Sequence, residues 1–168
     1  MLAMARSVLQ AMLWLAALHC LPAIAQTPTP SVVGIWRVVS VETRELASGK
    51  IARPFVDRPT GTFVFSPGGR MLGMQYATDR KAPATANATE AERAALLSSM
   101  SAYSGTYRVE GAKLIITIED SSIQSWNGTK RVINFETDGK RLTGTSEPFK
   151  GLITGQDVVA VITWERLE

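Results

Sequence analysis

The sequence predicts an all-β domain: an antiparallel barrel, closed or nearly closed, of about eight to ten strands with one short helix. Three observations lead there. Short runs rich in β-branched and aromatic residues follow one another from Gly34 to the end of the chain. Between them stand glycine turns at Ser48-Gly49, Ser66-Pro67-Gly68-Gly69, Glu110-Gly111 and Asp138-Gly139, where glycine supplies the positive φ of a tight hairpin. Only between Ala77 and Met100 do β-branched residues thin out in favour of Ala, Glu and Leu. A chain that keeps turning back on itself removes its unpaired edges by closing.

The expected strands are, in order, Gly34–Glu42, Thr43–Leu46, Lys50–Pro54, Gly61–Ser66, Arg70–Tyr76, Tyr103–Val109, Lys113–Asp120, Thr129–Thr137, Arg141–Ser146 and Asp157–Arg166. The helix is expected over Glu90–Met100, because Thr89 and Glu92 have the spacing of a capping box. The preceding stretch, Thr78–Ala88, carries Pro83 and small residues and reads as a loop. Loop and helix either cover one mouth of the barrel or pack outside it.

Ahead of the domain, residues 1–25 read as a secretory signal: Arg6, an apolar run from Val8 to Leu21, and Ala23-Ile24-Ala25 as a cleavage motif. The run is shorter than the roughly 20 residues that span a bilayer, and it breaks at Pro22. The bulky His19 before Cys20 disfavours lipid attachment. Residues 26–33, QTPTPSVV, are a linker, and 34–168 the barrel domain. The expected location is the periplasm or the exterior.

Cleavage removes the sole cysteine and the sole histidine. The exported part then has no disulfides, no thiolate or imidazole nucleophile and no His/Cys metal site, and neither cofactor nor metal is expected. Its charge is close to balanced, since Arg6 is the only charged residue removed from 18 Lys plus Arg against 15 Asp plus Glu. The basic pairs Arg80-Lys81, Lys130-Arg131 and Lys140-Arg141 read as solvated strand edges, which argues against a nucleic-acid surface. Asn87-Ala88-Thr89 and Asn127-Gly128-Thr129 match a glycosylation acceptor pattern but read as a cap region and a turn.

Six motifs in register give a resemblance. They are Gly34-Ile35-Trp36-Arg37-Val38-Val39-Ser40, Phe65-Ser66-Pro67-Gly68-Gly69-Arg70-Met71, Tyr103-Ser104-Gly105-Thr106-Tyr107-Arg108-Val109-Glu110-Gly111, Trp126-Asn127-Gly128-Thr129, Asp138-Gly139-Lys140-Arg141-Leu142 and Thr163-Trp164-Glu165-Arg166. Together they resemble the bacterial and fungal lipocalin-like domain family, which implies a lipocalin-like barrel. Gly34-x-Trp36 is similar to the opening signature of lipocalins, and the resemblance implies that Arg166 packs across Trp36. Members often carry a histidine pair where this chain has Ile116-Thr117. The family shares a fold more than an activity, so function stays open.

Alternation sorts the strands onto two faces. The expected inner face holds Trp36, Val38 and Ser40; Phe63 and Phe65; Leu72, Met74 and Tyr76; Tyr103 and Tyr107; Leu114, Ile116 and Ile118; Ile133 and Phe135; and Val158, Ala160, Ile162 and Trp164. An interior of this kind is either filled or holds one small ligand. The expected partner is a small apolar molecule, lined by Phe63, Phe65, Met74, Tyr76, Tyr103, Tyr107, Trp126 and Phe135. Two rivals stand beside this reading. One is a barrel enzyme using Glu119, Asp120 or Glu136 with Tyr103 or Tyr107 as acid or base; the other is an envelope interaction module with a filled core.

Overall fold

The computed structural model describes residues 31–53, 59–151 and 155–168. The signal segment and most of the linker lie outside the described residues, as does Pro54 at the end of the third expected strand.

The strands are β1 (Gly34–Glu45), β2 (Ile51–Ala52), β3 (Pro59–Phe65), β4 (Arg70–Ala77), β5 (Met100–Glu110), β6 (Lys113–Ser121), β7 (Lys130–Thr137), β8 (Arg141–Ser146), β9 (Phe149–Lys150) and β10 (Asp157–Arg166). One α-helix, α1 (Glu90–Ser98), joins β4 to β5. Neighbouring strands run antiparallel, and β1 pairs with β10 to close a ring of eight: β1, β3, β4, β5, β6, β7, β8 and β10. The short β2 and β9 extend it beside β1 and β10.

Two expected strands, Gly34–Glu42 and Thr43–Leu46, are one. β1 stays paired with β10 from Trp36↔Arg166 to Glu45↔Val158, with a bulge between Val38 and Ser40. The bulge explains a first correction to the inner face. Val39 is the extra residue, so the inward set moves from Trp36 and Val38 to Val41, and Ser40 does not join the core.

The second correction concerns β4. Leu72 and Met74 are 57% and 41% exposed, while Met71, Gln75 and Ala77 are buried. The hairpin dictates this: Phe65 pairs with Met71 and Phe63 with Gly73, and directly opposed residues share a face. Gly73 is required there, because a Cβ would lie 2.3 Å from Cε1 of Phe63.

The predicted alternation holds on β3, β5, β7 and β10. Buried Trp36, Phe63, Phe65, Leu114, Ile116, Ile118, Leu142 and Trp164 form a continuous core. Arg166 lies over Trp36 at 4.2 Å, as the opening signature implies. Its Nη1 also donates to the Val33 carbonyl at 2.7 Å and its Nε to that of Gly139, tying the segment before β1 and the end of β10 to the β7–β8 turn.

α1 is a capped, exposed helix. Thr89 Oγ1 accepts from the Glu92 amide at 3.2 Å, and the Thr89 amide donates to the Glu92 carboxylate at 2.7 Å. It ends at Ser98, and Met100 already belongs to β5.

Candidate functional site

The barrel interior is divided. At the end where β3 turns into β4, aromatic rings fill it: Phe65 meets Tyr107 edge-on at 5.1 Å, and the Tyr107 hydroxyl donates to the Ser66 carbonyl at 2.7 Å. Midway, Phe63 makes edge contacts with Tyr103 at 5.7 Å and Trp164 at 5.6 Å. Beyond this layer, towards the end of β1, the start of β5 and the start of β10, lies a cavity of about 190 Å³.

Its walls are mostly apolar, among them Val41, Ile133, Val158, Ala160 and Ile162. Trp126 and Phe149 close one side, and Ser98 at the end of α1 reaches the rim. A turn rigidifies Trp126: the 3-10 segment Gln124–Trp126 is followed by Gly128 at φ 75°, and Thr129 Oγ1 donates back to the Trp126 carbonyl at 2.6 Å. The Trp126 ring packs edge-on against Tyr103 at 5.8 Å.

Several polar groups share this chamber. Gln75 is 6% exposed and Ser101 2%, and Gln75 Nε2 donates to Ser101 Oγ at 3.2 Å. Gln75 Oε1 is buried with no hydrogen-bond partner among the described residues. Burial pushes the Tyr103 phenol up to about 12, with the Arg131 charge pulling the other way. Arg131 also lines the cavity, its guanidinium carbon 4.8 Å from the centroid of Trp126 and 4.8 Å from that of Phe149. Burial lowers the pKa of this guanidinium. Glu45 stands on the lining too, where its carboxylate accepts the Ser48 hydroxyl at 2.7 Å.

Of the eight residues expected around a ligand, Tyr103 and Trp126 line the cavity. Phe63, Phe65 and Phe135 are interior but belong to the packed core, and Tyr107 is fixed to the β3–β4 turn. Met74 lies on the outer face of β4, and Tyr76 beside it stacks under Arg80 at 5.4 Å, so neither lines the cavity. The expectation of a solvated Arg131 is corrected as well: it shares the inward parity of Ile133 and Phe135. That spacing was the signal for it, and Met71-x-Gly73-x-Gln75 was the signal for Gln75.

The three carboxylates considered for acid–base chemistry, Glu119, Asp120 and Glu136, all stand on the exposed outer face, with Glu119 paired to Arg70 at 2.7 Å. Among the described residues, no group of three or more His, Cys, Asp or Glu is placed to hold a metal ion, and no helix is long and apolar enough to cross a membrane.

Residues 33–167 match the family model of the lipocalin-like domain. The chain belongs to the lipocalin-like domain family. No curated protein matches it. Among solved structures it is similar to a lipocalin-like protein from Bacteroides uniformis, with 14% identity, a TM-score of 0.42, and coverage of 80% of this chain and 97% of that one. It is also similar to an uncharacterized protein from Bacteroides eggerthii, at 13% identity and a TM-score of 0.39, covering 81% and 99% of the two chains. The lipocalin-like barrel carries the 190 Å³ cavity at one end, and aromatic rings pack at the other.

Proposed function

We propose that this protein is an exported binding protein that takes one small, mostly apolar molecule into the chamber bounded by Val41, Tyr103, Trp126, Ile133 and Ile162. The observation that carries the reading is the unfilled volume itself, apolar-walled with a few convergent polar groups, which is the usual form of a small-molecule site. Its size limits the occupant, since an apolar cavity of about 150 Å³ accommodates benzene. The ligand is therefore of the order of a single ring or a short chain, or places only such a portion inside. Export rests on the N-terminal pattern, and the mature protein begins at Gln26.

Filling the chamber tests the binding reading. Ala160 is 9% exposed and faces the cavity, so Ala160→Phe occupies the volume a ligand would take. Benzyl alcohol and 1-hexanol are expected to shift Trp126 fluorescence in the parent and to lose this effect in a folded Ala160→Phe variant. Equal responses from both proteins would overturn the reading. Mass analysis of the periplasmic fraction tests export, with a chain starting at Gln26 expected and an intact Met1 terminus contradicting it.

A further inference from the structure

A half-buried arginine on the lining of an apolar chamber favours a counter-charge, because removing a cation from water is costly unless it is paired. Arg131 forms no ion pair with any described residue, although most arginines on the outer surface do: Arg37 and Arg141 with Glu165, Arg53 with Glu42, Arg70 with Glu119 and Arg108 with Glu110. The acid nearest in function, Glu45 on the same lining, is engaged by Ser48 and makes no ion pair with Arg131. What Arg131 packs against instead is two aromatic rings, Trp126 and Phe149, each with its centroid 4.8 Å from the guanidinium carbon. Cation–π packing of this kind restrains a guanidinium while using none of its N–H donors, so they stay available to bond.

A second observation at the same chamber is independent of Arg131. Gln75, almost fully buried, turns an amide towards Ser101 and leaves its oxygen without a partner. Turning that amide over would let Ser101 donate to the oxygen and present the NH₂ group instead, so this buried pair is able to offer a donor to an incoming acceptor. Tyr103 adds a phenol that stays protonated at physiological pH, since its pKa is near 12. The polar groups of the chamber thus include the Arg131 cation, the Tyr103 phenol and the Gln75–Ser101 pair, with the Glu45 carboxylate on the same lining already engaged by Ser48.

Resting on the binding function proposed above, we infer that the ligand is a small apolar acid whose carboxylate bonds to the guanidinium edge of Arg131 while its ring or short chain occupies the space against Val41, Ile133 and Ile162. Planar two-point bonding to a carboxylate is what a guanidinium held in this way does best, and it selects acids over neutral molecules of the same shape.

The test compares acids with their alcohols on the purified protein at neutral pH: benzoate against benzyl alcohol, and hexanoate against 1-hexanol. Each acid is expected to bind about tenfold or more tightly than its alcohol, as a charge-assisted pair in a shielded site implies. Arg131→Met, which keeps an unbranched apolar chain against the rings, is expected to abolish the advantage, so that neither acid binds more tightly than its alcohol to the variant. Acid and alcohol binding equally to the parent would overturn the inference but leave the chamber as an apolar site. An advantage that survives in Arg131→Met would also overturn it. Failure of all four probes to bind would remove both this inference and the function on which it rests. Should Arg131→Met not fold, the comparison on the parent alone still decides.

Discussion

Arg166 and Tyr103 show how single side chains set the two ends of the barrel apart. Arg166 covers Trp36 and bonds to the carbonyls of Val33, Gly139 and Glu168, so it seals the floor and ties the segment before β1 and the β7–β8 turn to the end of β10. Arg166→Ala is expected to cost about 1–3 kcal/mol in urea denaturation, combining a lost stacking contact with stranded carbonyls. Gly34 belongs to the same arrangement. Its φ is +139° and a Cβ would lie 2.3 Å from Arg166 Nη1, so Gly34→Ala is expected to weaken the seal as well. Tyr103, at the boundary of the chamber, carries a phenol raised from 10.0 to about 12 by burial. Below pH 10 it is neutral in both folded and unfolded chains and its contribution is fully present. Above pH 10 the unfolded chain ionises first, so stability falls as the pH rises towards about 12. The alkaline drop in the urea midpoint is expected to be shallower in Tyr103→Phe, and an identical pH profile in the two proteins would refute this assignment.

β4 is the element on which most of the packing turns. Gly73 leaves room for the Phe63 ring, which its contacts with Tyr103 and Trp164 prevent from moving aside. Gly73→Ala is therefore expected to lower the thermal midpoint, at a cost of about 1–3 kcal/mol from overpacking. The same element marks the limit of what the sequence makes legible. Leu72, Met74 and Tyr76 are more apolar than Met71, Gly73 and Gln75, so ranking by hydrophobicity turns the strand inside out. The Phe65↔Met71 pairing across the turn is the stronger constraint, because one residue of register reverses every side chain. On β1 the bulge at Val39 left no mark in the alternation, which explains the misplaced Ser40. β10 was readable throughout, since Val158, Ala160, Ile162 and Trp164 alternate without interruption. α1 was readable from its cap, and its stability is expected to depend on pH. Hydrogen bonds from the Ala84 and Thr89 amides hold the Glu92 carboxyl below its usual range. Its contribution is present above pH 4.5 and is lost as the pH falls through the lowered value, so hydrogen exchange in α1 should accelerate there.

For the molecule as a whole, closure between β1 and β10 converts eight antiparallel strands into an enclosure, and the uneven distribution of large side chains decides which part of it stays empty. Trp36, Phe65 and Trp164 fill one half, whereas Val41, Val158, Ala160 and Ile162 in the other are too small to meet across the barrel. The candidate site was therefore only half legible. Tyr103 and Trp126 could be placed from motif and parity, but the location of the cavity depends on side-chain volumes summed across strands, and Arg131 was masked by its exposed neighbour Lys130. On the binding function proposed above, a small apolar molecule is expected to enter this half and no other. Methyl chemical-shift mapping of the labelled protein titrated with 1-hexanol tests it most directly. Shifts confined to Val41, Ile133, Val158 and Ile162, with Leu114 and Leu142 in the packed core unmoved, are the predicted result. Shifts centred on the packed core or on the outer face around Leu72, or none at saturating probe, would contradict it.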